Sequence, residues 1–448
     1  MSPTNVLFIL TDDQGVWAAG CYGNPEIRTP NLDRLAATGT RMADFFVATP
    51  VCSPSRATLL TGRIPSQHGV HDWIREGNVG PDALRYMEGE VAYTDILARH
   101  GWTCGLSGKW HLGDSQIPQH GFTDWFAHQQ GGGPYNDAPM VRNGQLVHEP
   151  GYITDVITDE ALRLLDRYSA GGFPFYLSVH YTAPHSPWTG HPQDIVDCYD
   201  DCPFESCPQE PRHPWAISLT DHSLGNRESL KGYFAAVTAM DANVGRLLDW
   251  LEANSLREST LVVFLSDNGF SCGHHGFWGK GNGTNPRNMY ENSIKVPALF
   301  SQPGRIPEGR VETAMVSAYD VMPTLLEYLD LPVPGDRNLP GRSFLPLLRG
   351  EAMEEREPVV IFDEYGPVRM IRTREWKYVY RHAHGPHELF NLADDPDERN
   401  NLAGDEAHGE RIAELKAQMD EWFARYVIPT RDGLLEDGTQ MGQTRLAR

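Results

Sequence analysis

The sequence predicts an α/β fold in which a large, mainly parallel sheet flanked by helices is followed by a small antiparallel sheet with a packed helix. Three observations lead there. Short, wholly apolar runs of the kind buried on both faces of a parallel sheet alternate with helical patterns. Polar residues suited to chemistry follow those runs at their carboxyl ends, where open α/β sheets bind ligands. After Gly341-Arg342-Ser343 the rhythm changes to closely spaced short strands.

The first strand is Asn5-Val6-Leu7-Phe8-Ile9-Leu10, which runs into Thr11-Asp12-Asp13-Gln14-Gly15. Thr29 and Pro30 open a helix through Leu35, with proline where its missing N–H costs nothing. Ser53 as N-cap and Pro54 at the first helical position predict a second helix that Gly62 closes, leaving Cys52 just outside it. Val91 to Arg99 predicts a third. The strand-like Thr103-Cys104-Gly105-Leu106 leads into Gly108-Lys109-Trp110-His111, and Phe175-Tyr176-Leu177-Ser178-Val179-His180 into Thr182-Ala183-Pro184-His185. From Leu230 to Leu251 an apolar stripe at helical spacing carries Leu230, Phe234, Val237, Val244, Leu248 and Leu251. Thr260-Leu261-Val262-Val263-Phe264-Leu265-Ser266 repeats the buried-strand pattern and ends in Asp267-Asn268-Gly269. Beyond residue 345, strands are expected at 359–362, 368–371 and 376–380, and a helix from about Ala407 to Arg425. At 448 residues the chain exceeds one ordinary core, so two domains are expected, 1–345 and 346–448. The stretch 186–226, rich in Pro, His and Asp, reads as an insertion roofing a pocket.

Composition narrows the function. A formal charge of -22 argues against nucleic acid and against an anionic membrane surface as partners. No run approaches the length of a membrane helix. The first apolar stretch is too short for a signal-peptide core and lacks a basic leader, so as written the chain reads as cytoplasmic. A periplasmic or secreted chain numbered after leader cleavage would read the same. Seven cysteines are too few for a disulfide scaffold. Cys198, Cys202 and Cys207 cluster near His191 and His213, but their spacing fits no familiar zinc pattern, and loop cysteines are the reading preferred over zinc or a disulfide.

Chemistry concentrates in a few segments. In Val51-Cys52-Ser53-Pro54-Ser55-Arg56, a helix N-terminus would gather N–H groups around Cys52, favour an anion and lower the thiol's pKa, with Arg56 adding positive charge. That makes Cys52 a nucleophile candidate; a buried filler cysteine is the other reading. Asp12, Asp13, Asp267 and Asn268 end two strands and make an all-oxygen set suited to a hard cation such as calcium or magnesium. Lys109 and His111 share a face if their segment is extended, and so could converge on one anion. His185 follows a strand in a loop. Lys280 stands between Gly279 and Gly281, glycines that would let backbone approach a ligand.

In order, Asp-Asp, Cys-x-Pro-x-Arg with Thr61-Gly62-Arg63, Lys-x-His, Pro-His, Asp-Asn-Gly and Gly-Lys-Gly resemble the type I, formylglycine-dependent sulfatases of the alkaline phosphatase-like superfamily. Glu388-Leu389-Phe390-Asn391-Leu392, followed by Asp395-Pro396 and Asn401-Leu402, resembles their C-terminal subdomain, so the likeness spans nearly the whole chain. It implies that a separate formylglycine-generating enzyme oxidises Cys52 to an aldehyde, whose hydrate offers one hydroxyl to attack sulfur and one to expel sulfate. It implies too that Asp12, Asp13, Asp267 and Asn268 hold Ca2+, with Mg2+ less favoured, and that residue 52 joins them as a ligand. Lys109 and Arg56 would stabilise the hydrated aldehyde, His111 would remove the proton that lets the sulfated intermediate collapse, and His185 and Lys280 would bind sulfate, one of them protonating the leaving oxygen. Asp267 would take the proton of the attacking hydroxyl. The implied activity is hydrolysis of a sulfate ester or sulfamate.

The acidic net charge disfavours a long polysulfated polymer and points to a small sulfated saccharide or glycan end. Candidates for reading it are His71, Asp72 and Trp73 after the nucleophile helix, His274 and His275 before Lys280, Arg287 in the following loop, and Trp188 as a sugar-stacking ring. Two other readings stand beside it: a phosphonate monoester or phosphodiester hydrolase of the same superfamily, and a non-catalytic binder of sulfated glycans with Cys52 unmodified.

Overall fold

The computed structural model describes residues 4–353, 360–438 and 441–447. Its main sheet holds strands β1 (Asn5–Thr11), β2 (Thr40–Met42), β3 (Thr103–Gly108), β4 (Phe122–His128), β5 (Asn136–Arg142), β6 (Gln145–Tyr152), β7 (Phe175–His180), β8 (Thr260–Ser266), β9 (Ala298–Ser301) and β10 (Arg310–Glu312). Their order across the sheet is β10-β2-β9-β8-β1-β7-β3-β4-β5-β6. The centre is parallel throughout: β1 pairs with both β7 and β8, β7 with β3, and β3 with β4. Only β9 and β5 run against their neighbours. The four strands expected from apolar runs are thus β8, β1, β7 and β3, side by side, and their carboxyl ends open on one edge.

Both faces of this centre are buried, which is why its strands read as continuous apolar runs rather than alternating ones. Val6, Phe8 and Leu10 of β1 face one core, which includes Leu59, Leu60, Ile96 and Leu97; Leu7 and Ile9 face the other, with Leu32, Ile157, Phe234 and Leu248. Helices α1 (Pro30–Ala37), α4 (Ile153–Gly171) and α5 (Arg227–Ala253) cover the second face; α2 (Cys52–Thr61) and α3 (Tyr93–Arg99) pack on the first. Asn226 caps α5, its side-chain oxygen accepting from Glu228 N and Ser229 N at 3.0 and 3.3 Å.

A separate antiparallel sheet follows, β11 (Ile361–Tyr365), β12 (Val368–Arg372), β13 (Trp376–Arg381) and β14 (Glu388–Asn391), with α6 (Gly409–Tyr426) packed on it through Leu415, Met419 and Phe423. Ala48, Ile64 and Tyr319 join that cluster, so the small sheet is docked on the larger unit by a shared apolar seam.

Several expected boundaries move. The helix placed at Val91 begins at Tyr93, after Ala92, and the strand placed at 359–362 is β11, displaced toward Tyr365, while Val359 lies outside the described residues. Strands β2, β4, β5, β6, β9 and β10 had no distinct signal, being short or at the sheet margins where alternation is broken by polar and charged residues. Among the described residues no helix is long and apolar enough to cross a membrane.

Candidate active site

Helix α2 starts two residues earlier than its capping residues suggest. Val51 is the extended N-cap (φ −160°, ψ 149°), so Cys52 is the first helical residue and Pro54 the third. Ser53 does not cap: its Oγ accepts from Ile74 N at 3.1 Å and fixes the loop that follows. The far end is as expected, with Gly62 at φ 65° donating to Thr58 O at 2.8 Å. All ten residues of α2 are buried.

Around Cys52 the strand ends bring buried charges together. Asp12 follows β1, Lys109 follows β3 and Asp267 follows β8; all three are wholly buried. Lys109 Nζ pairs with Asp12 Oδ2. Arg56 Nε donates to Asp267 Oδ2 at 2.7 Å, and its Nη1 to Lys109 O at 2.8 Å. Lys280 Nζ lies 2.5 Å from Asp13 Oδ1 and 2.9 Å from Cys52 Sγ. Asn268 Nδ2 donates to the same Asp13 oxygen at 2.7 Å. Burial alone would push Asp12 toward its neutral form, yet Lys109, His185, Lys280 and Arg56 hold its carboxyl well below the usual range. Asp267 is raised to about 7 by burial and by the Asp12 charge, with Arg56 opposing.

These surroundings reverse the expectation for Cys52. Its thiol is pushed up to about 11, first by burial and then by the Asp12 carboxylate, against the pull of Lys109 and Lys280. A free cysteine here is a protonated thiol, not an activated one.

Three oxygens in this cluster, Asp12 Oδ1, Asp267 Oδ1 and Asn268 Oδ1, are buried without a hydrogen-bond partner. Leaving such atoms unpaired is costly, and a cation is the simplest way to satisfy several carboxyl and amide oxygens at once. Ligand atoms from Asp12, Asp267 and Cys52 lie within 4.8 Å of one another. The oxygens fit a hard divalent ion; the sulfur is the one soft donor, standing where an oxygen of a modified residue 52 would be. Asp13 belongs to the same cluster but is engaged by Lys280 and Asn268.

A cavity of about 500 Å³ opens from this cluster, lined by Asp13, Cys52, His111, His185 and Lys280 at its inner end. Lys109 and His111 do not share an extended face, because His111 has φ 56° and the chain turns between them. Lys109 therefore reaches the carboxylates while His111 faces the cavity, its Nε2–H donating to Ile74 O at 2.9 Å and Nδ1 left without a partner. Burial, then the Lys109 charge, holds His111 well below the usual histidine range, so it is neutral. His185 Nδ1–H donates to Ser186 O at 2.7 Å, and Nε2 lies 3.9 Å from Asp13 Oδ2.

The outer wall was largely missed. Trp73 lines it as expected, but with Ile74, Arg75, Gln130, Gly131, Gly132, Ser186, Ile217, Leu219, Phe270, Asn282 and Gly283. Segment 186–226 thus contributes Ser186, Ile217 and Leu219, part of a roof rather than the whole of one. Gly131 shows why its loop is glycine-rich: a Cβ there would lie 2.2 Å from His111 Cε1. The run Gly131-Gly132-Gly133 was the available signal. Gly281, by contrast, admits Pro50 rather than a ligand, since a Cβ would lie 2.5 Å from Pro50 Cγ.

Most of the expected recognition residues lie elsewhere. His71, Asp72 and Arg287 line a separate cavity under the C-terminal segment, where Arg287 Nη2 donates to Asp72 Oδ2 at 2.8 Å. His274 is half-buried, tilted against Trp17 and bonded to Ser206 O at 3.0 Å; His275 stacks on Tyr290 with centroids 4.0 Å apart. Trp188 packs against Trp278 in the core. Cys198, Cys202 and Cys207 are free thiols, and His191 bonds Tyr152 Oη at 3.0 Å, as loop residues would.

The sulfatase family profile matches residues 4–331, and the profile for the C-terminal part of N-sulphoglucosamine sulphohydrolase matches 273–425. The N-acetylglucosamine-6-O-sulfatase of Bacteroides thetaiotaomicron is 26% identical, covering 94% of this chain and 86% of its own. Arylsulfatase A of Homo sapiens is 30% identical over 93% of this chain and 88% of its own. A solved structure in complex with its substrate D-glucosamine-2-N,6-O-disulfate superposes with a TM-score of 0.81, at 24% identity, over 98% of this chain and all of the other. With the profile spanning most of the chain, and the buried charges gathered at the strand ends, the protein belongs to the sulfatase family and is a sulfuric ester hydrolase.

Proposed function

We propose that this sulfatase acts on a small sulfated saccharide or a glycan end, using residue 52 as formylglycine and a calcium ion held by Asp12, Asp13, Asp267 and Asn268. The observation that carries the proposal is the set of three buried oxygens without a hydrogen-bond partner beside Cys52, with Lys280 Nζ 2.9 Å from its sulfur. Bound there, the cation would offset the carboxylate charge and attract a sulfate oxygen, and the hydrated aldehyde would supply the attacking hydroxyl. Cys52 becomes that aldehyde by exchanging its sulfur for oxygen with loss of two hydrogens, a step that needs an external oxidase.

The chain's own residues divide the remaining work. Lys280 and Lys109 give the sulfate positive charge where water is excluded. Arg56 holds Asp267 at the cluster through a 2.7 Å bond, where its second carboxyl oxygen is placed to take a proton from the attacking hydroxyl. Neutral His111, with Nε2–H tied to Ile74 O, keeps Nδ1 as the acceptor for the second hydroxyl proton. His185 protonates the leaving oxygen: its Nε2 sits at the cavity and its side chain is a quarter exposed, whereas Lys280 is tied to Asp13. A cavity of about 500 Å³ with Trp73, Ile217, Leu219 and Phe270 on its wall suits the apolar face of a sugar ring. The named N-acetylglucosamine-6-O-sulfatase relative supports the saccharide reading.

Protein produced with a formylglycine-generating enzyme is assayed for sulfate release from a panel of sulfated mono- and disaccharides, beside phosphonate monoesters and phosphodiesters. Sulfate release well above background from a saccharide is expected. Turnover of phosphonates alone would favour the related hydrolase, and binding without release would favour the glycan binder.

A further inference from the structure

We infer that Gln443, near the end of the chain, is a positioning residue for the active-site wall and for His111. The inference rests on the role proposed for His111. Residues 71–75 carry the exposed wall of the cavity, Trp73, Ile74 and Arg75, and also the carbonyl that His111 Nε2–H is bonded to. They form no regular element, so their geometry has to come from outside. Gln443 supplies it. Its Oε1 accepts from His71 N at 2.8 Å and Asp72 N at 3.4 Å, and its Nε2 donates to Gly69 O at 3.1 Å. Its backbone N donates to Trp73 O at 2.7 Å, while its carbonyl accepts from Arg75 N at 3.0 Å. The two carbonyl and amide bonds bracket Ile74, which pairs with Gln443 as a parallel bridge. Gly442 adds a close contact: its φ is +81°, and a Cβ there would lie 2.9 Å from the Trp73 ring. Gly442 N also donates to Asp72 Oδ2 at 3.0 Å, the oxygen that holds Arg287.

Asp72 and Arg287 lie outside the lining of the active-site cavity; with Gln443 they secure the C-terminal segment against the loop that forms its wall. Because a hydrogen-bonded ring is held in one orientation and one tautomer, displacing Ile74 O frees His111 to turn, and a base misplaced by a fraction of an ångström loses rate rather than affinity.

The test uses the full-length, matured enzyme with Gln443→Ala and Gln443→Met, the second keeping side-chain volume without its hydrogen bonds. The kcat and KM for sulfate release are measured at two temperatures well below each variant's Tm. A fall in kcat of about tenfold in both variants, at both temperatures, is expected. Activity within about twofold of the parent, or a loss that disappears at the lower temperature, overturns the inference, because the segment would then contribute stability alone. His111→Ala, assayed alongside, separates the two levels. Undiminished activity there removes the proposed role of His111 and this inference with it; a large loss there with active Gln443 variants removes this inference only.

Discussion

The inner end of the cavity and its outer wall are made in different ways. Asp12, Lys109 and Asp267 each follow a strand of one parallel sheet, and β8, β1, β7 and β3 are adjacent, so the register of the sheet itself delivers these side chains to one place. Their charges are fully buried and mutually paired. The wall comes from segments 73–75, 130–132, 217–219 and 282–283, which reach the cavity through loops and owe their placement to distant partners such as Gln443. A sheet edge concentrates charge that water would otherwise screen; loops adjust shape around it.

The difference can be broken first at the inner end. Asp267→Asn leaves Arg56 without its carboxylate and, on the roles proposed above, removes a charged metal ligand and a proton acceptor together, and sulfate release should fall about a thousandfold or more. Retention of more than a tenth of the activity would mean the buried cluster is not the reactive end. At the wall the effect should be smaller and of another kind. Trp73→Ala should raise KM roughly tenfold, equivalent to about 1.4 kcal/mol, and leave kcat within about threefold. A fall in kcat with KM unchanged would place Trp73 in the chemistry and erase the distinction.

A third effect, on stability rather than turnover, sharpens the boundary between the two regions and the scaffold. His71, His128, His191 and His274 are held down to about 4, by burial before any other cause. They are neutral in the folded protein, so below pH 6.5 the unfolded chain takes up protons that the folded chain refuses. Stability from these groups is complete above about pH 6.5 and is lost as pH falls toward 4, by up to roughly 1.4 kcal/mol per pH unit for each histidine. Denaturant midpoints followed from pH 7 to 4.5 should fall, and His274→Gln should flatten the slope without altering KM. A change in KM would return His274 to the substrate wall.

The same contrast explains what could be read from residues alone. Strands β1, β7 and β8 were legible because burial on both faces demands unbroken apolar runs, and the residues following them were legible because two adjacent carboxylates need neutralising. The start of α2 was misread because Ser53 and Pro54 satisfy capping rules, while Ser53 Oγ is used by Ile74 N instead. The Cys52 thiol was misjudged for a related reason: proximity to a helix N-terminus is visible in a sequence, but burial beside Asp12 is not. His71, Asp72, Arg287, His274 and His275 were placed at the substrate by nearness along the chain to Cys52 and Lys280. Loops carried them away, and nothing local in their sequence records the Tyr290 ring under His275 or the C-terminal segment over Asp72.

Central to this account is that residue 52 reacts after losing its sulfur, because a soft sulfur among buried hard oxygens that lack hydrogen-bond partners is a poor ligand for the cation those oxygens suit. The direct measurement is the mass of the peptide containing residue 52, taken from protein made with and without a formylglycine-generating enzyme, with sulfate release measured on the same two samples. The account predicts that only the matured sample carries the aldehyde in place of the thiol and that only it releases sulfate from a sulfated saccharide. Equal sulfate release by the sample whose peptide keeps its thiol would contradict it.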